Sequence, residues 1–274
     1  MYNEMSGRGG KMLIVGEKLN SSLKGIEEAV RKRDGLFIQN LAKRQIEAGA
    51  NALDVNVGTS LASEDEDMRW MVKTIQQVVD CPLLIDSPNP RALRAGLEEC
   101  KGRAIINSIT AERKRMEKVL PLAVEFKCGI VALTMDEKGI PKGVEERMKI
   151  AESLISILTR KGISLSDIYI DPMVTSIATE SSSAKVTFET TRRIMSSFKG
   201  IHTICGLSNI SFGLPKRRLL NQTFFVMAIC SGMDSFILDP LDRRLMSLLV
   251  ASRALLGEDE YCADYIKAFR QGRI

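Results

Sequence analysis

Short apolar runs alternate along this chain with longer stretches in which apolar residues recur every three or four positions. The short runs are Met12–Gly16, Ala52–Val57, Leu83–Asp86, Ala104–Asn107, Ile130–Thr134, Ile168–Asp171, Ile201–Leu207 and Ser235–Asp239. Apolar character throughout so short a run predicts a strand buried on both faces, the condition of a parallel sheet. The longer stretches are Ile26–Ala48, Glu64–Val79, Pro90–Cys100, Glu112–Phe126, Val144–Lys161, Lys185–Phe198, Lys216–Ser231 and Asp242–Leu256. Their period predicts amphipathic helices, and Asp259–Arg270 predicts an extra one. Gly49, Gly162, Gly200 and Gly257 close four of these stretches, and Pro90 and Pro141 stand near helix starts.

Strands alternating with helices are joined by right-handed crossovers. Eight such units predict an α/β fold of (β/α)8 type, a TIM barrel. A doubly wound open sheet is the alternative, but it would want a G-x-G-x-x-G turn after the first strand, and none is there. No repeat or low-complexity linker divides the chain. Residues 12–274 read as one domain, preceded by a Gly-rich, polar leader over residues 1–11 that is expected to be flexible.

Composition narrows the function. Of 274 residues, 45% are apolar and 27% charged, as in an ordinary water-soluble domain. Aromatic residues make up 5%, few for a single-strand stacking platform, and the net charge of +5 is spread without a basic block, so no nucleic-acid partner is expected. No apolar run approaches the ~20 residues of a membrane span, and no signal-peptide core precedes the first strand. Cys81, Cys100, Cys128, Cys205, Cys230 and Cys262 form no C-x-x-C pair. They read as reduced, buried residues of a cytoplasmic protein.

Candidate chemistry sits where the apolar runs stop. In a (β/α)8 barrel the carboxyl ends of the strands form the active face. Those ends carry Glu17, Asp54, Asn56, Asp86, Asn107, Asp171, Asn209 and Asp239. A carboxylate accepts two parallel N–H bonds, and an Asn amide offers both a donor and an acceptor, so the set suits the edge of a flat heterocycle. Any one of these residues could instead cap the next helix or make an Asx turn, and Asp239, followed by Pro240, is the clearest case. For Asp86, Asn107, Asp171 and Asn209 together the alternative weakens, because four polar ends on one face carry a large desolvation cost unless a ligand or water bonds them.

At these residues the chain resembles the methyltetrahydrofolate:corrinoid protein methyltransferases, whose folate-binding barrel is shared with cobalamin-dependent methionine synthase. The segments LIVGEKLN, GANALDVNVG, LLIDSPNP, RAIINSITAER, LTMDEKGIPK, IYIDP, GLSNISFG, NQTFF and YCADYIKAF carry the likeness in order, from Met12 to about Phe269. The resemblance implies a pterin-binding barrel. Asp86, Asn107 and Asp171 would anchor the pterin ring of tetrahydrofolate or methyltetrahydrofolate, and Asn209 would stand beside the methyl-bearing nitrogen. Ser208 and Arg217 would lie near the ligand, although Arg218 could take the arginine's place. Glu17, Asp54 and Asn56 match motif positions whose direct role is less defined. Asn209 and Asp86 are the expected catalytic pair, Asn209 through a hydrogen bond at the reacting nitrogen and Asp86 near a water that relays the proton.

The resemblance also implies a corrinoid carried by a partner protein, since this chain lacks the Asp-x-His-x-x-Gly signature that holds one. By the same resemblance the chain is expected to form a homodimer. The one histidine, His202, lies in an apolar strand and reads as structural, and no ligand cluster points to a bound metal. One departure stands out: Phe212 occupies the position where the family carries Gln. On that ground alone, methyl flow from a methylated corrinoid protein to tetrahydrofolate is the favoured direction. A dihydropteroate synthase-like enzyme is a competing reading, but its Ser-x-Arg-x-x-His pattern is absent. A folate-binding module without turnover is another, and Asn209 argues against it.

Overall fold

In the computed structural model, which describes residues 12–58 and 63–274, eight parallel strands close on themselves in sequence order. They are β1 (Leu13–Asn20), β2 (Ala52–Asn56), β3 (Leu83–Asp86), β4 (Ile105–Thr110), β5 (Gly129–Leu133), β6 (Ile168–Asp171), β7 (His202–Gly206) and β8 (Ser235–Leu238). The expected (β/α)8 barrel is what the chain forms. The leader expected over residues 1–11 lies outside the described residues.

Around the barrel run α1 (Ile26–Arg31), α2 (Gly35–Glu47), α3 (Glu64–Ile75), α4 (Pro90–Glu99), α5 (Arg113–Glu125), α6 (Val144–Arg160), α7 (Ser183–Ser197), α8 (Arg217–Cys230), α9 (Arg243–Leu255) and α10 (Ala263–Arg270). The single helix expected over Ile26–Ala48 is two. Arg33 takes a left-handed φ of 55°, and the Asp34 side chain accepts the Phe37 N–H at 3.1 Å, starting α2 afresh. The helix expected from Asp259 begins as a 3-10 turn and becomes α10 at Ala263. Of the cysteines expected to be buried, Cys128 and Cys205 are, while Cys230 and Cys262 are exposed. Each of these two stands at a helix end, where the apolar face runs out.

Strand alternation divides the apolar residues into two cores. Ile14, Leu53, Ile85, Ile106, Ile130, Ile170, Cys205 and Phe236 face outward and pack against the helices. Leu13, Val15, Ala52, Leu84, Ile105, Val131 and Ile204 face inward, joined by Leu133, Tyr169 and Ile237, and plug the barrel. Two residues further along six of the strands, the same inward face presents Glu17, Asp54, Asp86, Asn107, Asp171 and Asp239. The apolar plug is therefore the floor of a polar mouth.

The lone histidine lies at the opposite end. His202 stacks on Tyr169 with ring centroids 5.0 Å apart, and its Nδ1 lies 2.7 Å from Asp234 Oδ2. It is a satisfied structural imidazole below the floor, as its apolar strand suggested.

Candidate active site

Three of the sequence-predicted residues form one row. The register pairs Asn56 with Asp86 and Asp86 with Asn107, so they stand side by side on β2, β3 and β4. The Asn56 amide donates to Asp86 Oδ2 at 2.9 Å and accepts the Gly58 N–H at 3.1 Å, which fixes its orientation. Asn107 donates from Nδ2 to Asp54 Oδ1 at 3.2 Å. Asp54, fully buried, thus lies beneath the row as its support.

Part of the desolvation cost is met inside the cluster, and part is not. Among the described residues, Asp86 Oδ1 and the side-chain amide oxygen of Asn107 take no hydrogen bond, while the Asn107 backbone carbonyl accepts the Ser87 N–H at 3.2 Å. Burial raises the Asp86 carboxyl above its ordinary range, while the Asn56 bond and the nearby Arg115 pull it back. Burial, and then the charge of Asp86, push Asp54 up much further, and the bond from Asn107 offsets only part of that. Two acids this close inside a low-dielectric site do not both ionise readily, so the pair tends to retain a proton.

Asp171 ends β6, next to Leu133 of β5. Its Oδ1 accepts the Met173 N–H at 2.7 Å, so the Asx-turn alternative is true of one oxygen. Its Oδ2 takes no hydrogen bond among the described residues. Burial raises its carboxyl to about 7, against the opposing pull of that N–H and of Arg147.

The third part of the mouth is the 3-10 turn Leu207–Ser211 after β7. Ser208 donates its hydroxyl to both Glu17 oxygens, at 3.0 and 3.1 Å, and Glu17 is raised mainly by burial. Arg217 donates from Nη2 to the Ser208 carbonyl at 2.7 Å and from Nε to Ser211 Oγ at 3.0 Å, and lies over the Phe212 ring at 5.8 Å. Arg217 therefore braces the turn, whereas Arg218 makes no such contact. Phe212 is 70% exposed, so its ring stands in the open beside Arg217. Lys18 pairs with Asp239 at 2.7 Å, and Asp239 Oδ1 accepts the Leu241 N–H at 3.0 Å, the turn role expected of it.

Asn209 is exposed, and its amide lies against Gly206. A Cβ on Gly206 would come within 3.1 Å of Asn209 Nδ2. Gly206 shares the inward face of Ile204, so the amide leans over the barrel mouth. Sequence reading overlooked this glycine, which has no positive φ to betray it; only the close approach explains it. Gly206→Ala is expected to displace the Asn209 amide and lower turnover by about 10- to 100-fold, as small misplacements of reacting groups do. Its melting temperature should stay within a few degrees of the parent protein's. A variant with full activity would show that the amide's position does not matter.

Two arginines were also missed. Arg115 on α5 donates to the carbonyls of Ser87 (2.9 Å), Pro88 (2.5 Å) and Ser108 (2.6 Å), tying the loops after β3 and β4 together. Arg147 on α6 does the same for the loops after β5 and β6. Arg115 gave no sequence signal. Arg147 did: it falls among Met148, Ala151, Leu154, Ile155 and Leu158, on the buried face of its helix.

A cleft of about 800 Å³ lies elsewhere, between α2, α9 and α10, and none of the predicted residues lines it. Its charged lining includes Arg243, which donates to the Gly272 carbonyl, and Arg253, which faces Glu258 and Asp264. The mouth, where acceptors converge unpaired, is the better candidate. Among the described residues, no group of three His, Cys, Asp or Glu is placed to hold a metal ion.

Comparison with known proteins gives the family and the fold. Residues 28–239 match the family model described as pterin binding enzyme. The chain is 40% identical over 268 residues to a methylcorrinoid:tetrahydrofolate methyltransferase of Eubacterium limosum, covering 96% of this chain and 98% of that one. It is 33% identical over 239 residues to methionine synthase of Mycobacterium tuberculosis, covering 82% of this chain and 20% of that much longer protein. Among solved structures, dihydropteroate synthase from Xanthomonas albilineans superposes with a TM-score of 0.70 at 18% identity, over 90% of this chain and 94% of that one. At such identity the likeness speaks for the fold alone.

Proposed function

This chain belongs to the family of pterin binding enzymes, and we propose that its activity there is transfer of a methyl group between tetrahydrofolate and the corrinoid of a separate protein. It is a methyltransferase, and the near full-length relative bearing that name supports the assignment. The structural observation that carries the reading is the inward row of Asn56, Asp86 and Asn107 with unpaired acceptors above an apolar floor. The pyrimidine edge of a pterin supplies the N–H donors such acceptors lack. Asp86, Asn107 and Asp171 would grip that edge, with Asp54, Asn56, Glu17, Ser208 and Arg217 holding the grip in shape.

The reaction is a displacement at the methyl carbon. Toward tetrahydrofolate, the ring-nitrogen lone pair forms the new C–N bond, the carbon–cobalt pair stays on cobalt, and the nitrogen's proton leaves to water. The reverse direction protonates that nitrogen and returns the methyl. Charge changes at the nitrogen either way, so a preorganised hydrogen bond there stabilises the transition state most. Asn209 supplies it. An amide does not titrate near neutrality, so water near Asp86 carries the proton.

Methyl flow from the methylcorrinoid to tetrahydrofolate is the proposed physiological direction; the order of names in the Eubacterium limosum relative supports it. Steady-state rates both ways with the authentic corrinoid protein would decide. The activity itself is tested by mixing the enzyme with methyltetrahydrofolate and Co(I) cobalamin and following the corrinoid spectrum. Methylcobalamin should form. Binding without spectral change would point to a carrier module, and diphosphate-dependent condensation to a synthase.

The working unit is proposed to be a cytoplasmic homodimer. No helix among the described residues is long and apolar enough to cross a membrane, and all six cysteines are unpaired, as suits a reducing compartment. The dimer surface is proposed around α10, where Leu255, Tyr261 and Phe269 are 88%, 90% and 69% exposed. The occupant is a second copy, because the segment is self-complementary in charge. Glu260 and Asp264 stand at its start and Lys267 and Arg270 at its end, so antiparallel pairing about a two-fold axis sets each acid against a base. Phe269→Asp should halve the mass seen by sedimentation; an unchanged dimer would place the interface elsewhere.

A further inference from the structure

We infer that Arg147 is a positioning residue for Asp171, fixing which carboxylate oxygen is open to the ligand. The inference rests on the reading of Asp171 as a ring-binding acid.

Arg147 is 1% exposed, an expensive place for a guanidinium unless its donors are met. Three of its five N–H donors are met by loop backbone. Nε donates to the Pro141 carbonyl at 2.8 Å, and Nη1 to the carbonyls of Pro172 and Met173, each at 2.7 Å. Met173 has a φ of 63°, a left-handed conformation uncommon outside glycine. The Met173 N–H that Asp171 Oδ1 accepts belongs to the same planar peptide as the Pro172 carbonyl, so holding that carbonyl aims the N–H. Arg147 grips both carbonyls of the turn, and Thr187 adds its hydroxyl to the Met173 carbonyl at 3.2 Å. The chain of cause runs from the buried fork to the turn, from the turn to one occupied oxygen, and so to the free Oδ2.

Charge adds a second link. The guanidinium opposes the burial that raises the Asp171 carboxyl. From β5 the neighbour is the apolar Leu133, and the titratable group of β7 that feels the Asp171 charge is Cys205, a thiol that burial pushes far upward and keeps neutral. Thr187 of α7 carries no charge, and Glu180 acts on the far side of Arg147. Arg147 is therefore the cation that, after the Met173 N–H, opposes the burial of this acid. Arg115, which spans the loops behind Asp86 and Asn107 and pulls Asp86 down, repeats the arrangement on the other side of the mouth.

The test is calorimetric titration with tetrahydrofolate across the neutral pH range. In the parent protein, affinity should fall as pH drops through about 7, where Asp171 gains its proton. Arg147→Met should move that midpoint upward, which a scaffolding role alone would not do. Arg147→Lys keeps the charge but not the fork, so the midpoint should stay while affinity falls by about tenfold, the worth of roughly one charge-assisted hydrogen bond. An unmoved midpoint in Arg147→Met overturns the inference. Should that variant fail to fold, parent-like affinity in Arg147→Lys overturns it equally. A parent protein that binds no tetrahydrofolate at any pH removes the pterin reading, and this inference with it.

Discussion

Asn209→Ala should lower turnover by about 10²- to 10³-fold, the usual loss when one preorganised hydrogen-bonding group at a developing charge is removed. Its affinity for tetrahydrofolate should change by no more than a few-fold. The asymmetry has a structural cause. Asn209 is exposed, leans over the mouth from Gly206 and stands apart from the Asn56–Asp86–Asn107 row that would hold the ring. Its hydrogen bond strengthens only as the nitrogen's charge changes, so it acts on the transition state more than on the bound ground state. Single-turnover rates and equilibrium titration together read both quantities. Equal losses in the two would assign Asn209 to binding alone.

Asp171→Ala should act the other way, weakening tetrahydrofolate binding by about 100-fold, near the 1.5–3 kcal/mol of a hydrogen bond to a charged group. Turnover at saturating ligand should fall much less. The pH dependence follows from the direction of the shift. The buried carboxyl is raised to about 7, and N–H donors bind its ionised form, so affinity is full above that value and is lost as pH falls through it. Stability runs opposite. An unfolded Asp ionises near ~4, so between roughly pH 4 and 7 the unfolded chain has released a proton that the folded one keeps. The ligand-free protein therefore loses stability as pH rises through that window. Asp171→Asn should remove this residue's share of both dependences, melting higher than the parent protein at neutral pH while binding weakly. A parent-like melting temperature there would mean that the carboxyl is not strained by burial.

That opposition explains why the mouth keeps groups the fold would be better without. Asp54, Asp86 and Asp171 are all pushed upward by burial first. Each is an ionisable group held where its charge is costly, a common mark of a binding or reacting site.

The sequence by itself determined the barrel. Eight doubly buried strands and their helices are written in local hydrophobic periods, and period is a property of neighbours along the chain. It also determined which residues end the strands, because alternation sends Glu17, Asp54, Asp86, Asn107 and Asp171 to the inward face once the apolar residues beneath them are placed. The break at Asp34 was readable as a helix cap, yet the apolar pattern running through it hid it.

Tertiary structure alone decided how those residues share their hydrogen bonds. That Asn56 serves Asp86, that Asn107 reaches past it to Asp54, and that Ser208 is committed to Glu17 depend on strand register and barrel closure, which join positions tens to nearly two hundred residues apart. Gly206 and Arg115 were invisible for the same reason. A glycine kept clear for an amide three residues on, and an arginine whose partners are backbone carbonyls, leave no period and no motif. Only folding brings the atoms that explain them within reach.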